Sequence, residues 1–87
     1  MGQNVEIFEV REALPEYVGP INALLAQLSS SPRCFTLEQL QKIAGSAASH
    51  LFLARIGEDV VAMLTVGEYL APTGRKMWIE DVVVDSA

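Results

Sequence analysis

Apolar and polar residues change their spacing along the chain, and these changes divide it into strands and helices. Apolar and charged residues alternate over Val5–Glu12 (VEIFEVRE), which predicts an edge strand with a bulge or an end near Phe8. From position 14 the apolar residues fall at helical spacing on one stripe. Because proline is tolerated only in the first turn of a helix, Pro20 must lie near its start. We therefore predict a helix over Tyr17–Ser30.

A second helix is indicated by its capping residues. Thr36 and Gln39 have the T-x-x-Q spacing of a capping box, in which each side chain bonds the backbone N–H of the other residue. This pattern predicts a helix over Leu37–Ala44. Gly45 is a plausible stop, although Ala47–Ala48 could extend the helix.

Three strands are predicted in the second half of the chain. They are separated by turn-forming residues and cover His50–Ile56, Val60–Leu70 and Arg75–Val84. The order β-α-α-β-β-β predicts an α+β fold in one domain over residues 1–87, with a four-stranded, mostly antiparallel sheet and two helices on one face. The segment VVAMLTV (residues 60–66) is apolar on both faces, as in strands that are covered on both sides. Two helices adjacent in sequence can cover only one face, so we expect a layer to be missing.

Composition excludes several classes of function. The chain is 51% hydrophobic and 20% charged, with a formal net charge of −5, whereas a nucleic-acid surface needs a basic stripe and anionic membranes attract basic segments. No apolar run approaches the roughly 18–20 residues that span a membrane. A lone cysteine (Cys34) and an N-terminus unlike a signal peptide suggest a cytoplasmic protein. With one histidine and one cysteine, we expect no metal site.

Two carboxylates in the last predicted strand are the strongest candidates for chemistry. Strict alternation would place Glu80 and Asp81 on opposite faces of an otherwise apolar strand. A carboxylate among apolar neighbours has a raised pKa and can act as a general base near neutral pH. The alternative is that either side chain points to solvent at an open sheet edge.

Three segments carry a resemblance to a known family, and together they cover essentially the whole chain. They are VREALPEYVGPINALLAQL, SHLFLARIGEDVVAMLTV and WIEDVVVDSA. In their order they resemble the N-terminal half of the GNAT superfamily of N-acetyltransferases. The resemblance implies transfer of an acetyl group from acetyl-CoA to an amine, with Glu80 or Asp81 as catalytic general base or as a ligand of the substrate. It also implies that the backbone of Val82, Val83 and Val84 binds the pantetheine arm of acetyl-CoA.

The resemblance also indicates what lies outside this chain. In the family, the loop that binds the pyrophosphate of acetyl-CoA would begin beyond Ala87, so we expect the 87-residue chain to be inactive alone and to bind acetyl-CoA weakly or not at all. Arg33 lies in the loop that borders the acceptor site in the family and could bind substrate; the alternative is a solvated arginine. The expected partners are an amine-bearing acceptor in a full-length form, and a second copy or a partner chain that supplies the missing half. The alternative function is a non-catalytic association module that dimerises.

Overall fold

The computed structural model describes residues 4–28 and 34–85, and its element order agrees with the predicted order. The elements are β1 (Val5–Glu9), a 3₁₀ turn (Pro15–Tyr17), α1 (Val18–Leu28), α2 (Leu37–Ala44), β2 (Ser49–Ile56), β3 (Asp59–Ala71) and β4 (Gly74–Val84). The strands pair antiparallel in the order β1-β2-β3-β4. The predicted α+β fold is therefore confirmed, and β1 and β4 form the two edges of the sheet.

Both helices begin as their sequences predict. Pro20 is the third residue of α1, where its missing N–H has no intrahelical partner. At the start of α2 the capping box is complete: Gln39 N donates to Thr36 Oγ1 (3.2 Å), and Thr36 N donates to Gln39 Oε1 (2.9 Å). Gly45 caps the C-terminus of α2, so Ala47–Ala48 do not extend the helix.

The hydrophobic core lies between the two helices and one face of the sheet. Leu24, Leu40 and Leu53 are at most 2% exposed, and they come from α1, α2 and β2 respectively. The core is the set of buried apolar residues Val10, Ile21, Leu24, Leu40, Leu51, Leu53, Met63 and Val83. Since the strand residues in this set belong to one face of the sheet, we call it the helix face.

The opposite face, here called the bare face, is apolar and is not covered by any described residue. Ile7, Ile79 and Val84 are each more than 60% exposed on it, although such side chains normally lie in a core. A shallow depression of about 320 Å³ on this face is lined by apolar residues from all four strands. Within the described part of the chain, no second layer therefore covers this face of the sheet.

The hairpin of β3 and β4 is longer than its neighbour β2. The N–H of Glu68 bonds the carbonyl of Ala48 (2.9 Å), just before β2 begins at Ser49. Residues 69–77 therefore continue past β2 as a two-stranded ribbon. The turn at its tip is closed by pairing of Ala71 with Gly74, whose φ of 119° is accessible mainly to glycine.

Candidate active site

Strand β4 contains a bulge at the two carboxylates. Glu80 pairs with Thr65 on β3, but the next two residues of β4, Asp81 and Val82, stand opposite the single residue Leu64. Asp81 has a φ of 53°, in the left-handed region that non-glycine residues enter at a cost. Such a bulge re-aims the side chains of its strand, and bulges are common beside active sites.

The bulge corrects the predicted placement of the carboxylates. Strict alternation put Glu80 and Asp81 on opposite faces, but an extra residue breaks the alternation between them. Glu80 lies on the helix face, because its partner Thr65 is in line with buried Met63. Asp81 lines a cavity on the same face. The two carboxylates are therefore brought together on one side of the sheet.

The cavity beside Asp81 lies between the helices and the sheet and has a volume of about 80 Å³. Its two polar side chains are Asp81 and Thr65. The remaining lining is apolar and comes from Ile21, Leu25, Phe35, Ile43, Leu51 and Met63. An acid at the mouth of an apolar cleft is an arrangement in which a polar group of a ligand can be held and oriented.

The burial expected for the last strand is wrong. Every residue of β4 except Val83 is exposed, including both carboxylates. The strand lies at an edge of the sheet, and its alternate positions face the bare face, so the described residues give it little cover. Solvent-exposed carboxylates at an open edge are what the structure shows, and the role of Glu80 or Asp81 as a general base stays a prediction.

The three valines after the bulge differ in their surroundings. Val83 is 6% exposed and packs in the core, whereas Val82 and Val84 line the bare face. The N–H of Asp85 bonds the carbonyl of Val61 (2.7 Å), and backbone groups alternate in direction along a strand. The N–H of Val84 is therefore turned toward the open edge. Binding of a cofactor by the backbone of Val82–Val84 stays a prediction.

Arg33, the predicted substrate ligand, lies outside the described residues. A residue that the sequence analysis did not single out holds the segment before α2 in place. The side chain of Asn22 donates from Nδ2 to the carbonyl of Phe35 (2.9 Å) and accepts at Oδ1 from the N–H of Phe35 (2.8 Å). Asparagine is a poor helix former that readily bonds backbone groups, so its position within α1 was the available signal.

A line of alternating charges crosses one end of the bare face. His50 Nδ1 lies 2.8 Å from Oε2 of Glu9 and His50 Nε2 lies 3.5 Å from Oε1 of Glu68. Arg11 extends the line at Glu9 (3.2 Å), and Arg75 approaches Glu68 at 3.9 Å. His50 therefore lies at the centre of this network.

The hydrogen bond between His50 and Glu9 shifts both pKa values in the direction that favours the ion pair. It raises the pKa of His50 above its ordinary value, with help from Glu68 and against partial desolvation. It lowers the pKa of Glu9, to which Arg11 also contributes. In the described part of the chain, no group of three or more acidic, histidine or cysteine side chains is arranged to hold a metal ion. None of the described helices is long and apolar enough to cross a membrane.

Comparison with solved structures shows which proteins share this fold. No protein-family model matches the chain, and no curated protein sequence is significantly similar to it. Among solved structures, glucosamine-6-phosphate N-acetyltransferase from Arabidopsis thaliana superposes with a TM-score of 0.75 at 22% identity, over 97% of this chain and 62% of that one. A GNAT family acetyltransferase from Staphylococcus aureus subsp. aureus USA300_TCH1516 gives a TM-score of 0.68 at 15% identity, over 99% and 64% respectively.

An aminoglycoside acetyltransferase from an uncultured soil metagenomic sample is similar to a comparable degree. Its TM-score is 0.74 at 20% identity, over 95% of this chain and 56% of that one. The chain thus has the fold of part of a GNAT acetyltransferase, as its resemblance implied. It spans about 60% of the length of these structures.

Proposed function

We propose that the chain is the part of an N-acetyltransferase that contains the catalytic strand, and that the enzyme transfers an acetyl group from acetyl-CoA to an amine. The observation that carries this proposal is edge strand β4, whose bulge brings Glu80 and Asp81 to one face and whose outer side turns backbone groups such as the N–H of Val84 away from β3. Solved acetyltransferases with the same fold support it. A shared fold supports a function only by analogy, whereas the geometry of β4 belongs to this chain itself.

The two carboxylates have the chemistry that an amine acceptor requires. At neutral pH an alkyl amine is an ammonium ion and has no free electron pair for attack on a carbonyl carbon. Glu80 or Asp81 would accept a proton from the ammonium group, and the neutral nitrogen would then act as the nucleophile. Asp81, which lines the apolar cavity, would bind the acceptor, and Glu80 lies one residue away on the same face.

The residues after the bulge fit part of acetyl-CoA. When bound, acetyl-CoA supplies the thioester from which the acetyl group is transferred. Its pantetheine arm is an extended chain with two amides, and a strand edge with unpaired N–H and C=O groups, such as that at Val84, is complementary to it. Val82 and Val84 would add apolar contact on the bare face. We propose that binding of the phosphates needs polypeptide beyond the described residues, so the 87-residue chain alone binds acetyl-CoA weakly and does not turn over.

The test is release of CoA thiol from acetyl-CoA in the presence of primary amines. It should be run with the 87-residue chain and with the chain extended by whatever its reading frame encodes after Ala87. We expect release near background for the former and amine-dependent release for the latter. Calorimetry should find no sub-millimolar binding of acetyl-CoA to the 87-residue chain. An extended chain that releases no thiol with any amine would refute the proposal.

A second proposed function, association with another polypeptide, is favoured by the surface area of the chain. Its accessible surface is 6142 Å², whereas a folded monomer of 9.5 kDa exposes about 5,000 Å². The difference of about 1,100 Å² exceeds the ~800 Å² that each partner buries in an ordinary interface. The radius of gyration of 13.8 Å is also larger than the roughly 12 Å expected for 87 residues. We propose that the bare face is covered by a second copy or by a partner chain that supplies the missing layer.

Sedimentation at micromolar concentration tests association of the 87-residue chain. We expect a twofold dimer through the bare face, and Val84→Lys should weaken it because a lysine ammonium would be desolvated there. Leu28→Lys is the matched control, because Leu28 is 47% exposed but lies on α1, away from the bare face. Val83 is unsuitable for this test because it is part of the core. A soluble 9.5 kDa monomer would exclude self-association and leave the partner chain as the remaining possibility.

A further inference from the structure

The end of the β3–β4 hairpin carries an aromatic pair on the helix face, beyond the core: Tyr69 begins the ribbon, and Trp78 follows its last residue. Tyr69 and Trp78 have ring centroids 5.4 Å apart and are inclined by 52°. Their exposed fractions are 55% and 42%, so both rings are accessible to solvent. Neither belongs to the core or to the apolar residues packed against it. The two rings therefore form part of the surface that a ligand can reach.

Gly67 sets the orientation of the tryptophan. Gly67 pairs with Trp78 across the two strands, and a methyl group at Gly67 would lie only 2.4 Å from the indole ring. The ring thus lies directly on the backbone of β3, which covers one of its faces. Since 42% of the residue is exposed, part of the ring is presented to solvent.

A carboxylate lies next to this uncovered ring. Glu80 and Trp78 are two residues apart on β4 and share the helix face, which places their Cα atoms roughly 7 Å apart. On the other side of the ring, Lys76 pairs with Tyr69. A cation is attracted by the negative face of an indole ring and by a carboxylate, and it is repelled by an ammonium group. The favourable position for a cation is therefore over Trp78, on the side of Glu80.

We propose that Trp78, Tyr69 and Glu80 form a binding site for an organic ammonium ion, which is the charged amine of the acceptor or a second cationic group of the same molecule. This inference rests on the proposed acetyltransferase function and specifies its substrate class as aliphatic amines that carry positive charge. The formal net charge of −5 increases the attraction of such molecules to the chain. Acidic acceptors are disfavoured, because they would place a negative charge beside Glu80 and the ring face.

The single tryptophan makes binding directly measurable, because all tryptophan fluorescence comes from Trp78. The probe is 1,4-diaminobutane, and 1,4-butanediol is the neutral control of the same length. The 87-residue chain is titrated with each compound without acetyl-CoA, and amide shifts in two-dimensional NMR give a second readout. We expect the diamine to bind with a dissociation constant in the millimolar range at low salt and to change the emission of Trp78. We expect the diol to bind at least fivefold more weakly, a difference of about 1 kcal/mol in binding free energy, because it cannot form a cation–π contact.

Variants assign the binding to the three side chains. Glu80→Gln should weaken binding of the diamine about two- to fivefold, the range for loss of one exposed ion pair. Tyr69→Leu should weaken it by a similar factor, because it removes one aromatic ring from the site. Lys76→Gln should strengthen binding, since it removes the repulsion. Glu58→Gln is the control, because Glu58 is an exposed carboxylate in the β2–β3 turn, away from the ribbon. Far-UV circular dichroism should confirm that each variant is folded.

Three results would overturn the inference: equal binding of diol and diamine, equal effects of Glu80→Gln and Glu58→Gln, or an unchanged Trp78 emission at saturation. The binding assay contains no acetyl-CoA, so its outcome is separate from that of the transferase assay. Diamine binding without any acetyl transfer would support the cation site and contradict the proposed function. Acetyl transfer without diamine binding at Trp78 would support the proposed function and contradict the cation site.

Discussion

Replacement of Gly67 by alanine tests the contact that orients Trp78. The added methyl group would lie 2.4 Å from the indole ring and less than 3 Å from two further ring atoms, so the ring must leave its position. The clashing atoms are the outer end of a side chain that is 42% exposed, so the cost should lie in the lower part of the range for overpacking of a core, at about 1–2 kcal/mol. Alanine also restricts the unfolded chain, which offsets about 0.4–1 kcal/mol of that cost. We therefore expect a net loss of up to about 1.5 kcal/mol in the free energy of unfolding, or a fall of up to roughly 12 °C in Tm.

The assay is urea unfolding, followed by circular dichroism and by the fluorescence of Trp78. Gly19→Ala is a control without a tertiary clash, because no atom outside its own helix and chain neighbours lies within 4 Å of the added methyl group. This control should be close to neutral, because the better helix propensity of alanine is offset by the restriction that Pro20 places on the residue before it. Displacement of the ring in Gly67→Ala should also shift the emission of Trp78 toward that of a solvated indole.

A double-mutant cycle identifies the cause of the loss. If the cost of Gly67→Ala comes from the indole ring, it should disappear in a Trp78→Ala background, where alanine at position 67 becomes neutral or favourable. The reasoning would be refuted if Gly67→Ala alone were as stable as the unsubstituted chain and retained its emission spectrum. It would also be refuted if the cost of the substitution persisted without Trp78.

Three further predictions concern the α2 cap, the carboxylates and pH. Thr36→Ala should cost about 1 kcal/mol in urea unfolding because it removes the cap of α2, while Thr36→Ser should cost little; equal losses would contradict this. In an extended, active chain, Glu80→Gln or Asp81→Asn should lower turnover up to about 10²–10⁴-fold with less effect on acetyl-CoA affinity, and unchanged turnover in both would exclude a base role. Because the pKa of His50 is raised, its ion pair stabilises the folded state fully below the ordinary value of 6.5, and this stabilisation is lost as the pH rises through the raised pKa. Because the pKa of Glu9 is lowered, its contribution is present above 4.5 and is lost as the pH falls through the lowered pKa. The melting temperature should therefore fall less steeply above pH 6.5 in His50→Gln than in the unsubstituted chain. Identical dependence of the melting temperature on pH in the two proteins would rule out this contribution of His50.

The sequence predicted the elements because their signals are local. The capping box at Thr36, the apolar stripe of α1 and the alternation in β1 each lie within one turn or one strand. The end of β1 at Glu9 rather than at position 12 was less predictable, because pairing with β2 decides where a strand stops.

The site was predicted less well, because its geometry depends on one backbone irregularity. Alternation assumes that every residue of β4 has one partner on β3, and the bulge at Asp81 breaks that assumption. No local signal marked Asp81 as left-handed, although aspartate tolerates this conformation better than most residues. The pairing of Trp78 with Gly67 was also inaccessible, since it depends on the register of two strands joined by a turn.

The hydrogen bonds between Asn22 and Phe35 have a consequence for how the protein tolerates change between its helices. They join residues 22 and 35 directly, so the start of α2 is fixed to α1 by a contact that does not involve residues 29–33. When the two ends of a segment are already held, doubling its length costs only about 0.6 kcal/mol in chain entropy. Insertions and substitutions between the two helices should therefore accumulate while the core stays unchanged.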